Sequence, residues 1–181
     1  MTTSKSNMKG IFLDLLEAGI IGLVVFSLVY FLVGQLMEVT GSSMQPTLEN
    51  KEQIFAEKIS VKMEPPSRGD IVIFKHPENN KRLLIKRVVG LPNEQIEILN
   101  GVVFINEKQL AEEYINTKNS TQGKLQIHEN EKYTIPENQY LLLGDNREES
   151  SDSRQIGFIP RDLIIAKVFA VYFPLKNFRL L

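Results

Sequence analysis

Two polar segments, GSSMQPTL at residues 41–48 and GDNREESSDSR at residues 144–154, interrupt a chain that otherwise alternates between apolar runs and turns. Such segments, directly preceded by apolar sequence, are where a β scaffold places its chemistry. Their serines are candidate nucleophiles, and a serine hydroxyl attacks only beside a group that takes its proton and donors that hold the developing oxyanion. The absence of cysteine excludes thiol catalysis, a disulfide framework and Cys-type zinc sites. The two imidazoles, His76 and His128, stand far apart without HExxH spacing and read as ordinary surface residues, so neither a histidine-dependent site nor a metal is expected. Lysine is then the obvious base. A free lysine, with a pKa near ~10.4, is protonated at neutral pH and must be desolvated or set near positive charge to accept a proton. Lys86, in RLLIKRVVG at residues 82–90, would share a strand face with the apolar Leu84 and Val88 and has Arg87 as its neighbour. A lysine whose stem packs while its head reaches water fits the same strand, so the strand alone leaves both readings open.

The elements that must position these residues are legible as short β-type runs at residues 53–61, 70–74, 82–90, 95–99, 102–105, 124–128, 139–143 and 163–173. Asn100-Gly101 between two of them is the strongest hairpin signal, because both residues tolerate the positive φ of a type I′ turn. Residues 106–123 read as a long loop or hairpin excursion. Ahead of this β region, residues 18–37 carry no charge and, at ~1.5 Å per residue, reach about 30 Å, enough to span a bilayer. Lys5 and Lys9 precede the span and Glu38 follows it, which places the amino terminus in the cytoplasm. Three parts are expected: residues 1–17 cytoplasmic, 18–37 a transmembrane helix with Phe26, Tyr30 and Phe31 facing lipid, and 38–181 an extracytoplasmic β domain. With 181 residues, 43% hydrophobic, there is material for one core plus this appendage. A net charge of -1 provides no field for nucleic acid, and none is expected as a partner.

GSSMQPTL, RGDIVIF, IKRVVGLPNE and GDNREESSDSR, in that order behind a single amino-terminal span, resemble the four conserved boxes of type I signal peptidases of Gram-positive bacteria. The resemblance implies a plasma-membrane serine endopeptidase that removes signal peptides from exported pre-proteins after an A-x-A type site, without a cofactor. It implies a mainly β fold, in which one transmembrane helix precedes an all-β, signal-peptidase-like catalytic domain. Carried over by position, Ser43 and not its neighbour Ser42 is the nucleophile, and Lys86 is the general base. Ser150 is the hydroxyl that hydrogen-bonds the neutral amine, while Asp145, Asp152, Arg154 and Arg87 form a charged network that bidentate pairs could make rigid.

Two positions depart from the family's pattern. Gly41 stands where Gram-negative relatives often have a serine that helps hold the oxyanion, and LPNE replaces the more usual Pro-Gly-Asp, with Asn93 able to take a left-handed turn. An extended substrate would add as a strand between residues 38–41 and 83–86. If Val39, Met44, Leu48, Leu84 and Ile85 wall shallow pockets beside Gly41, alanine fits and larger side chains clash, although core packing explains the same residues. The rival readings are a catalytically silent homologue that binds precursors, a Ser-Lys autoprotease of the SOS-repressor type, which would carry a DNA-binding domain instead of a span, and a purely structural membrane-tethered β module.

Overall fold

The computed structural model describes residues 4–115 and 120–181, with side-chain surroundings for all of these except residues 4–9 and 28–33. Helix α1 (Ser4–Val33) carries Lys5, Lys9, Asp14 and Glu17 in its first half and no charge from Ala18 onward, as suits a helix whose later turns are surrounded by hydrocarbon. Its stretch Gly10–Ser27 is long and apolar enough to cross a membrane, and none of it is buried against the rest of the chain. Phe26 is exposed; the side chains of Tyr30 and Phe31 lie outside the described residues. The helix starts earlier and ends earlier than the expected span of residues 18–37, because Gly34–Glu38 form strand β1 instead. Gly34 pairs across from Glu57 and lies flat against the Phe55 ring, where any Cβ would collide.

After β1 come β2 (Gln53–Glu57), the one-turn α2 (Ser60–Met63), β3 (Ile71–His76), β4 (Asn79–Gly90), β5 (Gln95–Leu99), β6 (Val102–Ile105), β7 (Lys108–Gln109), β8 (Lys132–Thr134), β9 (Gln139–Leu143), α3 (Ser153–Ile156), β10 (Ile159–Pro160), β11 (Ile164–Phe173) and β12 (Arg179–Leu180). The first sheet runs β1-β2-β11-β3-β4-β9-β10, with β12 on β11, and the second runs β7-β6-β5-β8. The fold is mainly β, as expected. Asn100 and Gly101, at φ 50° and 79°, turn β5 into β6 with Leu99 opposite Val102. Asn93 takes its left-handed turn at φ 67°.

Three expected elements differ. The run at 53–61 breaks after Glu57, whose carboxylate accepts the N–H groups of Ile59 and Ser60, both at 2.9 Å, and so starts α2. Residues 124–128 are not a strand: Lys124 N–H bonds back to Ile127 O at 2.8 Å, and only Ile127 is buried while Leu125 is exposed. The strand that completes the second sheet is β8, opposite Gln95–Glu97, with half-buried Tyr133 on the core side. The polar turn expected at 77–81 is shorter, since β4 resumes at Asn79 opposite His76. His76 is buried at that turn, its Nδ1 accepting Glu78 N–H at 3.2 Å, whereas His128 is at the surface as expected.

Alternation along the strands divides the interior into three apolar clusters. One holds Val39, Met44, Leu48, Ile54 and Val171, a second lies between β9 and the small sheet around Ile96 and Ile135, and the third contains Val72, Val88 and Leu142. β4 is the element common to this arrangement. Its first half pairs with β3 and its second with β9, and Lys86 sits opposite Val72 just before the hand-over.

Candidate active site

The segment at 41–48 folds into tight turns because Met44 and Leu48 are both buried in the first cluster, with Leu48 N–H bonded to Met44 O at 2.8 Å. Gly41 precedes them at φ 100°, a conformation that L side chains rarely adopt, and donates its N–H to Asn50 Oδ1 at 2.9 Å. With the turn fixed on both sides, Ser43 Oγ comes to 2.8 Å from Lys86 Nζ. The same ammonium donates to Ile85 O at 2.9 Å. Ser42 points elsewhere: its hydroxyl donates to Glu149 Oε2 at 2.6 Å. The two adjacent serines are thereby distinguished by geometry.

Lys86 is 2% exposed. Burial pulls its pKa down from the ordinary 10.5 to about 8; Asp152 and Asp145 work against the shift, and Arg82 and Arg154 assist it. The cationic help comes from these two arginines, whereas Arg87, its sequence neighbour, is spoken for. Arg87 Nε and Nη2 grip the Asp145 carboxylate at 2.9 and 2.7 Å, its Nη1 donates to Gly69 O at 2.9 Å, and Tyr114 stacks on the guanidinium at 4.1 Å.

The segment at 144–154 is rigid for a similar reason. Asp152 caps α3 by accepting Arg154 N–H at 3.2 Å and binds the Arg154 side chain twice, at 2.9 and 2.8 Å, while its Oδ2 also accepts Gly144 N–H at 3.1 Å. Burial alone would raise the Asp152 pKa, but the Arg154 guanidinium on both oxygens holds it below the usual carboxylate range. Asn146 ties the segment to the nucleophile turn, its N–H donating to Ser43 O at 3.1 Å and its Nδ2 to Ser42 O at 3.3 Å. Gly144 is required by close approach: a Cβ there would run into both Ser150 Oγ and the Ser43 carbonyl.

Ser150 departs from its expected contact. It is buried beside Gly144 and close enough to Asp152 for its hydroxyl to help hold that carboxylate's pKa down, and the Lys86 amine is bonded to Ser43 and Ile85 instead. Among the expected pocket residues, Val39 and Met44 are buried in the first cluster, against which Ile85 packs half-buried, and Leu48 is fully buried core. Leu84 packs on the third cluster, across the strand from Ile85, and so does not share a wall with the others.

Three further residues build the site without having been singled out in the sequence. Arg147 is fully buried; both its Nη atoms reach the Glu112 carboxylate, and its Nε donates to Gly144 O at 3.0 Å. Tyr114 donates to Glu112 Oε1 at 2.7 Å, so residues 112–114 strap the Arg147 pair to Arg87. Arg147 lies inside GDNREESSDSR and could have been suspected there. Glu112 and Tyr114 stand in a polar stretch with no local signal, and only the tertiary fold brings them in.

A hydroxyl against a buried amine titrating near neutrality can pass a proton in either direction, the basic requirement of acyl transfer. The family model for signal peptidase, peptidase S26, matches residues 12–173. The chain is 34% identical over 154 residues to a probable signal peptidase I-2 of Synechocystis sp., covering 82% of this chain and 67% of that one. It is 33% identical over 181 residues to signal peptidase IB of Staphylococcus aureus, covering 92% and 93%. A crystal structure of a signal peptidase I from Enterococcus faecalis V583 aligns with 57% of this chain and 97% of its own at a TM-score of 0.46 and 28% identity. The chain belongs to the signal peptidase family, peptidase S26, and with it to the serine peptidases.

Proposed function

We propose that this chain is a membrane-anchored signal peptidase that cuts signal-peptide-bearing pre-proteins after an A-x-A type site, with Ser43 as nucleophile and Lys86 as general base. The observation that carries this reading is the 2.8 Å contact between Ser43 Oγ and the amine of a lysine whose pKa burial has brought to about 8. With Lys86 neutral, its amine takes the Ser43 proton as Oγ attacks the scissile carbonyl, and the resulting ammonium gives that proton to the departing amine of the mature protein. The acyl-enzyme is then hydrolysed by a water that loses its proton to the same amine. The Ser43 N–H is the oxyanion donor closest to hand, and open space beside Gly41 leaves room for the substrate backbone. Ser150 Oγ, buried beside the site, turns from Asp152 toward the amine when substrate binds. Val39, Met44 and Ile85 wall the shallow pockets; Leu84, on the Lys86 face of β4, packs on the third cluster.

α1 serves as the anchor, with its amino-terminal end in the cytoplasm and the β domain outside. It holds the site near the surface at which a precursor's own apolar segment lies, raising the effective concentration of both. The test is incubation of the detergent-solubilised chain with a peptide spanning an A-x-A site, the products read by mass. The parent should cut after the second alanine, Ser43→Ala should not cut, and Ser42→Ala should retain most activity. Equal loss at Ser42 would overturn the nucleophile assignment, and binding without cleavage by the parent would establish a silent homologue.

A further inference from the structure

We propose that the edge of the large sheet at which α1 enters is a docking site for the phosphate headgroups of an anionic bilayer, formed by Lys58, Lys62 and Lys75 and flanked by exposed apolar side chains. The strand registers place these residues together. Gly34, the first residue after α1, pairs with Glu57 at the end of β2; Glu57 pairs with Lys167 near the start of β11, and Ile164 pairs with Phe74 near the end of β3. The residues that follow Glu57 and Phe74 therefore lie on the edge from which the helix leaves, with Lys58 one residue beyond a Cα pair about 5 Å from Gly34. There Gln35, Lys58, Lys62, Lys75 and Arg161 line one open cavity.

The charge is unbalanced. None of the three lysine ammonium groups has a carboxylate partner among the described residues, while the Arg161 guanidinium is fixed on the carbonyls of Val61 and Glu64 at 3.1 and 3.0 Å. Glu137 and Asp162 are the carboxylates on the same lining, so the cavity keeps an excess of positive charge. Beside it, Ile59 just ahead of α2 and Met63 at its end are exposed by 41% and 77% and interleaved with Lys58 and Lys62. Cations interleaved with apolar tips at a membrane-proximal edge match a surface that presents phosphates above hydrocarbon. Each lysine contributes about a fivefold preference for an anionic over a neutral surface. Docking there would fix the tilt of the β domain over the bilayer in addition to tethering it.

The inference rests on α1 being a membrane anchor, and the experiment separates the two. Because the chain has no cysteine, Met63→Cys gives a single labelling site, and Leu125→Cys, exposed by 74% in the loop after residue 123, gives a control. Each full-length chain, carrying an environment-sensitive fluorophore, is reconstituted into nanodiscs of phosphatidylcholine alone or mixed with phosphatidylglycerol, with nitroxide-headgroup lipid as quencher. Elution with the disc reports anchoring. The expected result is blue-shifted, strongly quenched emission from position 63 in the anionic discs only, with no change at position 125. Joint reversal of the lysines (K58E, K62E, K75E) should return the signal to its neutral-disc value, as should salt of about 0.5 M, where screening acts within a few ångströms. A chain that elutes with the disc yet gives equal emission in both lipids, or an anionic effect that survives the reversals, would overturn the docking site. Reproduction of the signal in neutral discs by soluble glycerol phosphate would also overturn it, by pointing to a free-phosphate site.

Discussion

Lys86 draws its usefulness from an environment that disfavours its charge, and the charges around it set where it titrates. Arg82, at the exposed start of β4, is one of the cations that lower its pKa. Replacing it with glutamine removes that contribution without disturbing a buried contact. Arg82→Gln should therefore move the rising limb of the activity–pH profile to higher pH, and added salt should shrink the difference between the two proteins. At this scale the sequence told part of the story. The absence of cysteine and the separation of His76 from His128 pointed to a lysine base, and the spacing within GSSMQPTL and IKRVVG selected Ser43 and Lys86 through family resemblance. It could not show that Arg82 and Arg154 bear on the amine, because that depends on where the fold places each guanidinium around Lys86. Nor could it show Ser42 bound to Glu149, a pairing across 107 residues of sequence.

At the scale of elements, the site is a meeting of one strand and two loops, and the loops are held by backbone proximity as much as by side chains. Gly144 is where this is tightest: a methyl group there would press on Ser150 and on the Ser43 carbonyl together. Gly144→Ala should lower kcat/KM by about a hundredfold, the scale of loss that follows a displacement of the nucleophile by about 1 Å, with near-normal cooperative unfolding as the control. The hairpin at Asn100-Gly101 and the strands with clean alternation were legible because their signals are local. The run at 124–128 misled because L-Q-I alternates like a strand although Ile127 alone is buried, and β8 was missed because Lys132–Thr134 is too short to show a period. Residues 112–114 gave no signal at all. Their role comes from a buried Glu112–Arg147 pair and a Tyr114 ring laid on Arg87, both made by chain segments far apart in sequence.

For the whole molecule, a desolvated lysine is a stability cost that the β domain must absorb. The folded pKa of about 8 lies below the unfolded 10.5. The unfolded chain therefore binds more protons in that window, and stability rises with pH through it; below pH 8 the full penalty of about 3 kcal/mol applies. Lys86→Met removes the penalty along with two hydrogen bonds of about 1 kcal/mol or less each. The variant should be inactive yet more stable at pH 7 by about 1 kcal/mol, roughly 2–4 °C in Tm, and this advantage should fade as the pH approaches 10.5. The division into one apolar helix and one β domain was readable from composition alone. The boundary was not, because Gly34–Glu38 are as uncharged as the helix up to Met37, and only pairing with β2 makes them a strand.

The central claim is that a neutral Lys86 takes the proton of Ser43. Its most direct measurement is kcat/KM for an A-x-A peptide as a function of pH in the parent protein, over a range in which the fold is intact. The account predicts a rise governed by one apparent pKa near the value of about 8 that burial gives Lys86. A rise following an ordinary lysine, near ~10.4, or a rate flat through neutrality would contradict it.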